Sequence, residues 1–128
     1  MAKILIVDDE QDIVQILKAR LQKAGYEVLT AYNGKDGFEI ACREMPDLLI
    51  LDLMMPKMDG FTVCQSIKYS EKYKNIPVII LTARGKGLDL ERIMANECGA
   101  DAYINKPFEA EVLLLKIEEL LNQRNKAQ

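Results

Sequence analysis

The 128-residue chain has no histidine and no tryptophan, and its aromatic residues amount to only 6%. Without histidine no phosphohistidine can form on it, and any nucleophile it uses has to work without an imidazole base. The scarcity of aromatics and the lack of tryptophan count against a flavin-binding electron carrier. The three cysteines, Cys42, Cys64 and Cys98, are an odd number without CxxC spacing. Each falls in an apolar helical pattern, which reads as reduced core thiols rather than disulfide partners or metal ligands. With a net charge of −3, a pI near 5.1 and no basic cluster, the chain lacks the surface for direct nucleic-acid or anionic-membrane binding. No apolar run approaches the ~20 residues needed to span a bilayer, and Met1 is not followed by a charged-then-apolar leader. The expectation is a soluble, cytoplasmic protein.

What is present is a regular alternation. Lys3-Ile4-Leu5-Ile6-Val7 is a β-branched apolar run, followed by Ile13, Leu17, Leu21 and Ala24 at helical spacing up to the stop at Gly25. Tyr26 to Ala31 predicts a second strand. Phe38, Ala41, Cys42 and Met45 trace a second helix that ends near Pro46. Asp47 to Asp52 is a third strand, and Phe61, Cys64 and Ile67 open a third helix beyond the turn at Pro56, Asp59 and Gly60. Val78 to Thr82 is a fourth strand, Leu90 to Glu97 a fourth helix, Ala102 to Ile104 a short fifth strand, and Val112 to Leu120 the core of a last helix. Five βα units with short links imply a doubly wound parallel sheet with helices on both faces. We take residues 1–122 as one domain and residues 123–128 as a polar tail or the start of a linker.

In such open sheets ligands bind beyond the carboxyl ends of the strands. Those ends carry Asp8 and Asp9, Asp52, Thr82 and, just past the fifth strand, Lys106. Each has an ordinary explanation alone: the first acids can cap a helix, Asp52 can close a turn, threonine forms strands, and a loop lysine is solvated. Together they make a less ordinary set. Three carboxylates at one edge repel one another beyond what a single lysine neutralises, so a hard divalent cation is implied. Mg²⁺ suits an all-oxygen site, and its habit of binding through one or two carboxylates plus a phosphate implies a phosphoryl ligand too. A carboxylate, ionised at pH 7, can then attack phosphorus without a general base.

The acid pair Asp8-Asp9, the stretch LLILDLMMPKMDG around Asp52, Leu81-Thr82-Ala83, and Lys106-Pro107-Phe108 together closely resemble the receiver domain of bacterial two-component response regulators. The resemblance covers essentially the whole chain. It implies a flavodoxin-like fold with strand order 2-1-3-4-5, and Asp52 as phosphoacceptor for a histidine kinase or histidine phosphotransfer protein. It implies Mg²⁺ ligated by Asp9, Asp52 and the backbone carbonyl of Met54, with Asp8 acting mainly through water. Lys106 would contact the phosphoryl group, Thr82 would be the switch hydroxyl, and Tyr103 the aromatic that reports its movement. Met54 and Arg84 would modulate dephosphorylation, and a cis peptide would precede Pro107. Output would pass through the fourth helix, fifth strand and last helix to a further domain or downstream protein. Such a protein catalyses its own phosphorylation and dephosphorylation without being a conventional enzyme.

The chain departs from the family pattern between Thr82 and Lys106, a stretch about two residues longer than in many relatives, with Arg84-Gly85-Lys86-Gly87 as the expected place of the excess. That sequence is no P-loop, because the upstream glycine and the following Ser/Thr are missing. A haloacid-dehalogenase-type phosphatase would need its nucleophile on the first strand with a second Asp two positions on. A phosphorylation-independent interaction module of the same fold would be expected to have lost an acidic or lysine position, and none is lost.

Overall fold

The computed structural model describes residues 1–53, 55, 57–82 and 97–127. The strands are β1 (Lys3–Val7), β2 (Glu27–Ala31), β3 (Leu48–Asp52), β4 (Val78–Thr82) and β5 (Ala102–Asn105). The helices are α1 (Gln11–Lys23), α2 (Gly34–Glu44), α3 (Gly60–Lys68) and a C-terminal helix, Ala110–Ala127. The strands pair in parallel in the order β2-β1-β3-β4-β5. The helix expected from Leu90 lies, up to residue 96, outside the described residues, as do Met54 and Arg84.

Side-chain alternation along the strands divides the core in two. Ile4 and Ile6 of β1, Leu48 and Ile50 of β3, and Ile79 and Leu81 of β4 face α1 and the C-terminal helix, meeting Leu17, Leu21, Leu113 and Ile117. Leu5, Val7, Leu49, Leu51, Val78 and Ile80 face α2 and α3, meeting Ala41, Val63, Cys64 and Ile67. Every residue of β3 and β4 is buried, which is why these strands read as unbroken apolar runs. Each fully buried Ile or Leu contributes ~2 kcal/mol over exposure. This reserve offsets the cost of the charges buried at the strand ends.

Local chemistry sets the element ends. Asn33 caps α2 through its side-chain oxygen, which accepts from the Asp36 N–H at 2.9 Å. Met45, left-handed at φ 48°, ends that helix just before Pro46. Asp59 caps α3 in the same way, accepting from the Thr62 N–H at 2.8 Å.

The C-terminal helix runs on through residues 123–127, where the sequence suggested a polar tail. A long cation explains the difference. Arg124 Nη1 donates to the Asp47 carbonyl at 3.0 Å and to Asp47 Oδ1 at 2.9 Å, while Asp47 Oδ2 accepts from the Lys3 N–H at 2.7 Å. One aspartate at the lower edge of the sheet therefore joins the starts of β1 and β3 to the last turns of the helix. Among the described residues, no helix is long and apolar enough to cross a membrane.

Candidate functional site

The strand register brings the polar residues to one edge. Val7 pairs with Leu51, so Asp8 and Asp52 leave neighbouring strands side by side. Asp52 pairs with Leu81, Thr82 with Asn105, and Lys106 follows at once. The buried polar or charged side chains among the described residues are Asp8, Asp52 and Thr82, all at the carboxyl ends of strands. An apolar core seldom tolerates such groups unless they are paired or used.

One carboxylate oxygen from each of Asp8, Asp9 and Asp52 lies within 4.8 Å of the others. Lys106 Nζ stands 2.9 Å from Asp8 Oδ2, 3.1 Å from Glu10 Oε1 and 3.6 Å from Asp52 Oδ1. The Lys106–Pro107 peptide is cis. Asp8 Oδ1 accepts from the Glu10 N–H at 2.9 Å. Its buried Oδ2 is ion-paired with the Lys106 ammonium. An oxygen-only cluster of this kind has the donor set of a hard divalent cation, and Asp8, Asp9 and Asp52 can hold one.

Electrostatics point the same way. Burial, then the charge of Asp8, pushes the Asp52 carboxyl up to about 7, against a smaller opposing pull from Lys106. Burial works against the Lys106 ammonium but is outweighed by Asp8, Asp52 and Glu10, so its pKa is raised. The ammonium is thus charged while burial and Asp8 hold the Asp52 proton well above the usual carboxylate range, and a second cation at the cluster would favour the ionised form.

This has a consequence for stability. Folded Asp52 keeps its proton up to about 7, whereas the unfolded chain releases it near pH 4. Between those values the unfolded state binds fewer protons, so this group lowers stability as pH rises. The metal-free protein should lose melting temperature between pH 5 and pH 7.5. Asp52→Asn should flatten that slope and melt on the order of 5 °C higher at pH 7.5. Thermal unfolding followed by circular dichroism in a chelator checks this, and identical pH slopes in parent and variant would refute it.

The Thr82 hydroxyl donates to Asn105 Oδ1 at 2.6 Å, on the sheet face shared with Tyr103, which packs half-buried against the α2–α3 side of the core. Two functional neighbours escaped the sequence reading. Glu10, rather than Asp8 or Asp9, occupies the N-cap of α1, and it reaches Lys106. Asn105 holds the Thr82 hydroxyl; a polar side chain directly before Lys-Pro at the end of a strand was the available signal.

The chain is 47% identical over 125 residues to the probable transcriptional regulator ycf27 of Guillardia theta, with 98% of the chain and 47% of that protein covered. It is 42% identical over 126 residues to the DNA-binding dual master transcriptional regulator RpaA of Synechocystis, with 98% of the chain and 52% of that protein covered. The chain therefore spans about half the length of these relatives. Among solved structures, a response regulator receiver domain from Clostridium thermocellum matches with a TM-score of 0.90 and 36% identity, each chain covered completely. A CheY-like receiver domain protein from Methanospirillum hungatei matches with a TM-score of 0.91 and 30% identity, over 100% of this chain and 99% of that one. The response regulator receiver domain profile matches residues 4–118, and with carboxylates, lysine and threonine gathered at one sheet edge, the chain belongs to that family.

Proposed function

We propose that Asp52 is the phosphoacceptor, receiving a phosphoryl group from a histidine kinase or histidine phosphotransfer protein in the cytoplasm. One observation carries this reading: Asp52 is a nearly buried carboxylate at the end of the central strand, with two further carboxylates within 4.8 Å and an ammonium at 3.6 Å. A carboxylate oxygen of Asp52 attacks phosphorus in line, forming the acyl phosphate as the donor's P–N or P–O bond breaks and its electron pair leaves with the donor. Asp8, Asp9 and Asp52, joined by the Met54 carbonyl that the family pattern suggests, would hold Mg²⁺, which supplies charge neutralisation on the phosphoryl oxygens. Lys106 donates to one of those oxygens. Water later attacks phosphorus and returns Asp52 to its carboxylate, at a rate we expect Met54 and Arg84 to modulate.

For output, the Thr82 hydroxyl leaves Asn105 for the phosphoryl group, and the space it vacates on that face is taken by Tyr103. The change is read on β5, the C-terminal helix and the segment between β4 and β5. It is a population shift, so phosphate acts only through its greater affinity for one arrangement. The similarity to transcriptional regulators about twice as long suggests that the signal passes to a DNA-binding partner domain, which the acidic chain itself does not supply.

Incubation with acetyl phosphate and Mg²⁺ should add one phosphoryl group, ~80 Da for PO₃H, labile to hydroxylamine as an acyl phosphate is. Intact-protein mass spectrometry reads it directly. Asp52→Asn should show no addition, and undiminished labelling of that variant would remove the assignment.

A further inference from the structure

Glu10 occupies the N-cap of α1, yet its side chain makes no capping hydrogen bond. Ser, Thr, Asp and Asn serve there because a short side chain turns back onto the free N–H groups of the first turn, and glutamate is outside that group. The carboxylate goes elsewhere. It crosses to a residue 96 positions on, accepting from Lys106 Nζ at 3.1 Å. Lys106 thus has two carboxylates, Asp8 at 2.9 Å and Glu10 at 3.1 Å, nearer than Asp52 at 3.6 Å. Asp8 and Asp52 are fixed by burial at strand ends, but the Glu10 side chain is 58% exposed and packing does not place it there. The sequence forgoes a cap and sets a carboxylate over the lysine.

We propose that Glu10 is a positioning residue that holds Lys106 off the phosphoacceptor in the unphosphorylated protein and competes with the phosphoryl group for it. The inference rests on Asp52 being the phosphoacceptor. A phosphoryl group there brings nearly two negative charges, and Lys106 has to close on Asp52 to donate to it. Closing on Asp52 means giving up Glu10, the partner on the solvent side. Until then Glu10 draws the ammonium outward and adds its own charge to the field that an anionic donor meets on approach. Asp8 cannot play this part, because it stays beside Asp52 and belongs to the carboxylate cluster itself.

The competitor is one exposed carboxylate, so the expected change is about two- to fivefold. The full chain, with Mg²⁺, is to be labelled with acetyl phosphate as parent, Glu10→Gln, Glu10→Asp and Asp52→Asn, with initial rates read by intact mass. Binding of beryllofluoride, a phosphoryl mimic, is to be titrated in parallel by amide NMR on the parent and the two Glu10 variants. Glu10→Gln should label two- to fivefold faster than the parent and bind beryllofluoride tighter by a similar factor. Glu10→Asp is one methylene shorter than the contact with Lys106 requires and is able to cap α1. It should melt no lower than the parent and still label faster, which a purely structural role for residue 10 does not produce. If Glu10→Gln labels and binds no better than the parent while Asp52→Asn stays unlabelled, the competition is overturned and the phosphoacceptor reading stands. Labelling of Asp52→Asn overturns that reading, and the inference with it.

Discussion

Lys106→Ala is expected to slow labelling by acetyl phosphate about a hundredfold, the usual cost of removing one preorganised donor from developing charge. Lys106 Nζ is the cation placed among Asp8, Glu10 and Asp52 in the described site, and its side chain is mostly buried. Its loss acts twice. A donor to the phosphoryl oxygens disappears, and the opposing pull on Asp52 disappears with it, so burial and Asp8 raise that carboxyl further and leave less nucleophile at neutral pH. More Mg²⁺ can restore charge balance but not the directed hydrogen bond, so saturating metal should recover only part of the rate. Lys106→Arg keeps the charge on a planar, differently shaped head and should fall between the two. Circular dichroism at the assay temperature separates a kinetic loss from unfolding. A folded Lys106→Ala that labels within threefold of the parent would show that the lysine has no part in the chemistry.

The same residues show what a sequence discloses and what it hides. β3 and β4 were legible because burial on both faces leaves an unbroken apolar run, and in a parallel sheet such runs imply that the residues ending them converge. Asp8, Asp52, Thr82 and Lys106 follow from that topology alone. The contacts of Glu10 and Asn105 do not, because hydrogen bonds between residues 96 and 23 positions apart leave no trace in local periodicity. The state of Asp52 was hidden for a related reason. Its ordinary ionisation is a property of the residue type, whereas the rise to about 7 belongs to the burial and to the neighbouring Asp8. The last turns of the C-terminal helix read only as a polar stretch, and the tie from Arg124 to Asp47 that holds them was not visible in it. Gly60 read only as a turn residue, since a sequence does not show how near two backbones pass.

Gly60→Ala is expected to destabilise the protein by ~3 kcal/mol or more, with a fall of roughly 10 °C in melting temperature. Gly60 opens α3, where alanine would ordinarily gain about 1 kcal/mol through helix propensity. The surroundings reverse that sign. A Cβ here would run into the Asp52 carbonyl oxygen and come within 2.8 Å of Leu53 Cα, and neither is a flexible side-chain end that can swing aside. The Gly60 N–H also donates to the Leu53 carbonyl at 2.8 Å, so the helix start is bonded to the chain leaving β3. Relief therefore requires α3 or the end of β3 to move, and Asp52 moves with the latter. A displacement of about 1 Å at a reacting group can cost on the order of a hundredfold in rate, so labelling at Asp52 should drop even at temperatures where the variant is folded. Gly25→Ala supplies the contrast. A Cβ there meets nothing within 4 Å, but φ is +97°, so the change should cost ~1 kcal/mol through backbone strain alone. It lies at the other end of α1 from Asp8 and should leave the labelling rate of the folded protein as it was. Urea denaturation gives both stabilities and intact mass gives both rates. If Gly60→Ala were as stable as the parent, α3 would have to sit farther from the Asp52 backbone than this packing places it.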